Sequence, residues 1–249
     1  MKTRKKNSSI KLGVNIDHIA TLRQVRGGLT PYPDLLNLTQ KVVKAGADQI
    51  TLHLREDRRH IQVSDLESIT QHIQVPINLE MAPTSIMVRY ARKYKPQWVC
   101  LVPEKREELT TEGGLDVRKN QAHIATIVDR IQNLGIEISV FIEPSEEQVL
   151  AAYRIGADAV EFHTGQWVLA PDEKKEKIWK RLSRASELAE SLDLGVHAGH
   201  GLDYAHLKKI KSLKHLEEVN IGHSIVCYAL EDGLQEVVRK MKRILKARA

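Results

Sequence analysis

Cysteine is scarce in this chain of 249 residues: two occur, Cys100 inside an expected strand and Cys227 inside an expected helix. That excludes a disulfide scaffold and a cysteine-rich metal module, and reads as two buried thiols in a reducing compartment. Aromatic residues are almost as rare, with two Phe and three Trp, too few for the stacking platform that a nucleic-acid reader interleaves with basic residues. No apolar run nears the roughly 20 residues that cross a bilayer, and residues 1–9 carry Lys2, Arg4, Lys5 and Lys6 without the apolar core of a secretory signal. The expectation is a soluble, cytoplasmic chain with no membrane or nucleic-acid partner. No low-complexity or linker-like stretch divides it, so residues 1–9 read as a flexible basic tail and residues 10–249 as one domain.

Charge is unevenly placed. The net charge is +6, but the tail and residues 239–249 hold more than that excess and leave the body acidic, which fits solvated chain ends better than a binding surface.

What is present is a repeated pattern. Eight short apolar runs, at residues 11–16, 49–52, 75–79, 98–102, 137–142, 159–162, 194–198 and 217–221, each end in an acid, a base or a glycine-histidine pair. The runs lead respectively to Asp17-His18, His53, Glu80, Glu104, Glu143, His163, Gly199-His200 and Gly222-His223. Helical periodicity fills the intervals, with Ser64/Glu67 and Ser145/Gln148 as expected capping boxes and Gly46 and Gly156 as expected helix stops. Alternating strand and helix over this length specifies a (β/α)8 TIM barrel, an α/β fold with a few extra helices, whose active site lies at the strand C-termini. Residues 45–53 and 155–163 resemble each other, each placing a histidine seven residues after a glycine, as half-barrel duplication or shared loop chemistry would. Residues 171–191 read as a charged outer helix. Residues 104–120 form a long polar stretch in which Gly113-Gly114 could hinge a lid.

Two anion sites are expected. Gly222-His223-Ser224 and His200-Gly201 follow the last two strands, where backbone amides at a helix start bind phosphate. Five basic side chains occur within His53–His60; Arg58 and Arg59 are expected to pair with Glu56 and Asp57, and His53, at the strand terminus, to serve catalysis. Glu80 should point into an apolar mouth that raises its pKa into a range suited to proton transfer. Of the 11 histidines, His72, His123, His206 and His215 fall on expected helices, and His197 reads as a core residue. The chain lacks H-E-x-x-H, a Cys-His cluster and a His-x-His first strand, so no metal is expected. Lys105, in a charged loop, is the only lysine near a strand end, so a lysine Schiff base is not expected either. A metal-dependent barrel aldolase or phosphosugar epimerase is the rival reading.

These blocks together resemble the pyridoxine 5′-phosphate synthase family of deoxyxylulose-dependent vitamin B6 biosynthesis. The likeness runs through Gly13–Arg23, His53–His60, Asn78–Ala82, Leu101–Arg106, Thr110–Asp116, Ala198–Leu202 and Asn220–His223. It implies condensation of two phosphorylated small molecules without a metal or organic cofactor, the imine nitrogen coming from a substrate. It implies His53 and Glu80 as proton acceptors and His200 as proton donor. The amino-ketone phosphate would meet Asn15, Arg26, Gly201, Gly222 and His223; the sugar phosphate would meet Asp17, His18, Arg55, His60 and Thr110. The loop Gly27–Pro31 is longer than the family pattern. A homo-oligomer, an octamer, is also implied.

Overall fold

A computed structural model describes residues 9–104 and 113–246. Its elements run β1 (Lys11–Asn15), α1 (Asp17–Gln24), α2 (Leu35–Lys44), β2 (Gln49–His53), α3 (Val63–His72), β3 (Ile77–Met81), α4 (Ser85–Tyr94), β4 (Trp98–Leu101) and α5 (Gln121–Gln132). They continue with β5 (Glu137–Ile142), α6 (Glu146–Arg154), β6 (Ala159–His163), α7 (Gly165–Val168), α8 (Asp172–Ser191), β7 (Gly195–Gly199), α9 (Tyr204–Ile210), β8 (Leu216–Ile221), α10 (His223–Asp232) and α11 (Leu234–Lys246). All eight strands are parallel and in sequence order, and β8 closes on β1 with Gly13 opposite Asn220. The barrel expected from the sequence is the observed fold.

Strand geometry separates two environments. With a period of two, Ile50 and Leu52 join the apolar shell under the helices, while Gln49, Thr51 and His53 fall on the opposite, inward side. The inward set is unusually polar for a barrel, where branched apolar residues normally fill the layers. It is held by hydrogen bonds: Gln49 donates to Glu218 (2.7 Å), Thr51 to Asn220 (2.8 Å), and Asn220 to Glu161 (2.8 Å). These bonds satisfy groups that would otherwise be costly to bury.

Local signals behaved unevenly. Gly46 and Gly156 adopt positive φ (108° and 75°) and stop α2 and α6 as expected. Ser145 caps α6 through the Gln148 amide, but the Gln148 side chain turns to Asp116 and the Val117 amide instead of closing the box. The Ser64/Glu67 box does not form, because α3 starts two residues earlier, with Gln62 and Asp65 supplying the reciprocal bonds. His215 lies in the turn before β8 with φ 64°, not on a helix. Cys100 is buried as expected; Cys227 is exposed on α10. The charged outer helix is α8, and the described part of the basic C-terminus lies on α11, whose buried face is Val237, Val238, Met241 and Leu245. Among the described residues no helix is long and apolar enough to cross a membrane.

Candidate active site

At the C-terminal mouth of the barrel lies a cavity of about 740 Å³. Asn15, Asp17, His18, His53, Arg55, His60, Glu80, His200, Gly201, Gly222 and His223 all line it. They come from β1, β2, β3, β7 and β8 or from the loops and helix starts that follow them. One expected residue is not there: Arg26 is exposed in the turn after α1, outside the lining; Thr110 lies outside the described residues.

One wall is built on Asp17. Its Oδ1 accepts the backbone N–H of His53 (2.8 Å), and its Oδ2 accepts from Asn15 Nδ2 (2.9 Å), which also donates to Glu80 (3.3 Å). Ligating atoms of Asp17, His53 and Glu80 consequently fall within 4.8 Å of one another. Burial, then the charges of Asp17 and Glu161, push the Glu80 carboxyl well above its ordinary range, against the bond from Asn15. A carboxyl of this kind holds a proton more readily than an ordinary glutamate, which suits it to accepting one from a substrate.

His53 is oriented from behind. Its Nε2 lies 3.0 Å from Glu104 Oε1, and the other Glu104 oxygen accepts the Glu56 amide (3.0 Å). Burial works to raise the Glu104 pKa, but the bond and charge of His53 prevail and hold it below the ordinary value. An ionised Glu104 favours a proton on Nε2, which makes Nδ1 the nitrogen open to accept one. The sequence placed Glu104 at a strand end but gave no sign of its partner. His60 accepts the Ile61 amide at Nδ1 (2.8 Å), which puts its proton on Nε2; burial lowers its pKa, with Asp17 opposing.

The basic run divides differently from expectation. Arg59 pairs with Asp57 (2.6 Å) as expected yet also lines the cavity, and buried Arg55 pairs with the same carboxylate (3.2 Å). Arg58 turns to the carbonyls of Leu54 and Arg55 and covers the Tyr90 ring, not to Glu56 or Asp57.

The facing wall is made of turns. His200 and Gly201 both have positive φ (78° and 79°), a strained conformation for histidine, and Thr164 fixes it by donating to the His200 carbonyl (2.6 Å). Burial, followed by His163 and His223, depresses the His200 pKa to about 4. Ser224 donates to the Leu202 carbonyl (2.6 Å) and ties the two turns together. Gly222 caps α10, and a Cβ there would sit 3.0 Å from the Asn15 side chain, so a larger residue would press on Asn15 where this turn meets β1. The free first-turn amides of α10 are a ready anion site. His18 meets His223 edge-on (4.9 Å), and burial lowers the His18 pKa despite Asp17.

Deeper in the barrel, Glu161 also lines the cavity, whereas His163 lies behind His200, bonded to Glu143 (2.6 Å). His197 is a core residue, edge-on to Trp98 (5.3 Å). Burial and Glu218 raise Glu161 to about 8; burial raises Glu218 to about 7.

Comparison with known proteins gives the lineage. Residues 12–247 match the family model described as pyridoxal phosphate biosynthesis protein PdxJ. The chain belongs to the PdxJ family. Every candidate site residue falls inside the matched span. A pyridoxine 5′-phosphate synthase of Bdellovibrio bacteriovorus is 65% identical over 95% of this chain and 98% of its own length. Those of Geobacter metallireducens (49% identical, 95% and 98% covered) and Legionella pneumophila strain Corby (48%, 96% and 96%) are similar too. Among solved structures, KGPDC from Streptococcus mutans (TM-score 0.65, 12% identity, 96% and 98% covered) and tryptophan synthase from M. tuberculosis (0.63, 11%, 96% and 94%) share the barrel with the PdxJ chain. Those last likenesses carry the fold alone.

Proposed function

We propose that this chain is a pyridoxine 5′-phosphate synthase, condensing 1-deoxy-D-xylulose 5-phosphate with 3-amino-2-oxopropyl phosphate to pyridoxine 5′-phosphate, orthophosphate and water. The observation that carries the reading is convergence: His53, Glu80 and His200, from three distant stretches of sequence, line one cavity with glycine turns and basic side chains around it. The names of relatives 65% and 48% identical over nearly the whole chain support it.

The amine of the amino-ketone attacks the sugar ketone, so the imine nitrogen is the substrate's own. His53, with Nδ1 free as base, and Glu80, with its raised pKa, accept protons from the carbons and hydroxyls that must lose them. His200 supplies a proton to a leaving oxygen. Its low pKa makes it a strong acid once it is charged, and a phosphate dianion arriving beside His223 favours that charging. Asn15, Gly201, Gly222 and His223 form the place for the amino-ketone phosphate, and Asp17, His18, Arg55 and His60 that for the sugar phosphate, with Thr110 expected there by family likeness. Arg26, exposed outside the cavity, is the assignment with least support. Residues 10–249 are read as one domain after a tail of residues 1–9, acting in the cytoplasm. A homo-oligomer, an octamer by family likeness, suits the exposed Val25, Leu29 and Tyr32 around the turn after α1.

The rival, a metal-dependent barrel aldolase or epimerase, draws on the closeness of Asp17, His53 and Glu80. One experiment separates them: the purified chain with both substrates and EDTA should form pyridoxine phosphate absorbance and release orthophosphate. Loss of turnover on chelation, restored by a divalent ion, would favour the rival; inertness with both substrates would end the synthase reading.

A further inference from the structure

Glu143 and His163 form a second acid-imidazole pair for which the proposed reaction has no use. Glu143 Oε1 is 2.6 Å from His163 Nδ1 and also accepts the Gly114 amide (3.2 Å). Its other oxygen is buried without a hydrogen-bond partner among the described residues. The His163 ring lies 4.9 Å from the His200 ring. The two rings meet over Gly165, where a Cβ would come within 2.6 Å of His163 and 2.9 Å of His200, so glycine is what lets them touch. His163 is buried and absent from the cavity lining, and so cannot itself reach a substrate.

We propose that Glu143 and His163 are positioning residues for His200: the carboxylate fixes the His163 ring, and that ring sets the orientation and charge of the proton donor in front of it. Two imidazoles this close in a desolvated site resist being cationic together. The carboxylate holds the His163 ring against His200, and burial together with that ring keeps His200 neutral until an anion arrives. Among the described residues the charged or titratable groups acting on the pair are His200, in front of His163, and Arg181 from α8, whose charge helps hold Glu143 ionised; His223 acts on His200. Burial of Glu143 is the largest single influence and works the other way, but the bond and charge of His163, the Gly114 amide and Arg181 together outweigh it.

The inference rests on His200 as the proton donor, and its test keeps the two apart. His163→Asn retains a donor for Glu143 and removes the second imidazole from beside His200. In the ligand-free protein, the titration midpoint of His200 followed by NMR should then rise by about one pH unit. The acidic limb of the kcat profile should move in the same direction, with KM for both substrates kept within about two-fold. Glu143→Gln should lower kcat by about 10- to 100-fold, the cost typical of losing the partner that orients a histidine, and Glu143→Asp should recover part of it. An unchanged His200 midpoint and an unchanged pH profile in folded variants at both positions would overturn the proposal. If His200→Asn turns over like wild type, the donor assignment fails, while the ligand-free titration still decides whether the pair governs His200.

Discussion

The ends of β2 and β6 begin alike and finish differently. In both, a glycine of positive φ stops the preceding helix, and an aspartate then bonds the neighbouring strand: Asp48 Oδ2 accepts the Leu12 amide (2.6 Å), Asp158 Oδ2 the Ile138 amide (2.9 Å). Five residues later a histidine ends each strand, held by a glutamate from another strand end. Yet His53 faces the cavity, whereas His163 is covered by His200 and the first turn of α7. Shared local chemistry places the strand ends; the loop leaving each strand decides which imidazole meets a substrate. An open loop leaves His53, whereas Thr164-Gly165 folds directly back over His163.

The strongest way to test this contrast is at Glu80, beside His53. Glu80→Gln should reduce turnover by about 10²- to 10⁴-fold while substrates still bind, as loss of a general base does; steady-state kinetics with a binding measurement would check it, and turnover like wild type would refute the role. Next, His53→Asn should cost more in kcat than His163→Asn assayed under the same conditions, and equal losses would erase the distinction between the two strand ends. Glu104→Gln should then lower kcat by about 10- to 100-fold with little change in KM.

Two smaller effects test the barrel interior. A Cβ on Gly199 would lie 2.2 Å from Glu161 Oε1, so Gly199→Ala should destabilise the fold by about 1–3 kcal/mol in chemical denaturation. Glu161 and Glu218, raised from the ordinary 4.5 to about 8 and about 7, keep protons in the folded chain that the unfolded chain releases. Their contribution to stability is therefore complete below 4.5 and is lost as pH rises through those values. Glu218→Gln removes one titration and relieves the other, so Tm should fall less steeply across that pH window than in the wild-type chain.

Much of this was legible in order along the chain. Period-two runs, helix stops and charged strand ends are local signals, and they named the barrel and several residues at its mouth, with Asn15 added by the family likeness. The pairing of Glu104 with His53, 51 residues apart, was not legible, because it depends on the register between β2, β3 and β4 and on the direction in which the chain leaves β4. Arg59 was read as an internal ion pair and is also a cavity residue, since both roles suit one long side chain. The polar column through Gln49, Thr51, Glu161, Glu218 and Asn220 was hidden for a related reason. Alternation marks a residue as inward or outward, but only closure of β8 on β1 tells an inward glutamate which amide it will meet.

By itself, then, the sequence determined the kind of fold and the ends at which reactive groups stand, because backbone geometry converts residue spacing directly into strand, turn and facing side. Tertiary structure alone decided which of those groups are dry, which share a proton and which are shielded by another ring. Desolvation and charge coupling act across space between residues that the chain keeps far apart.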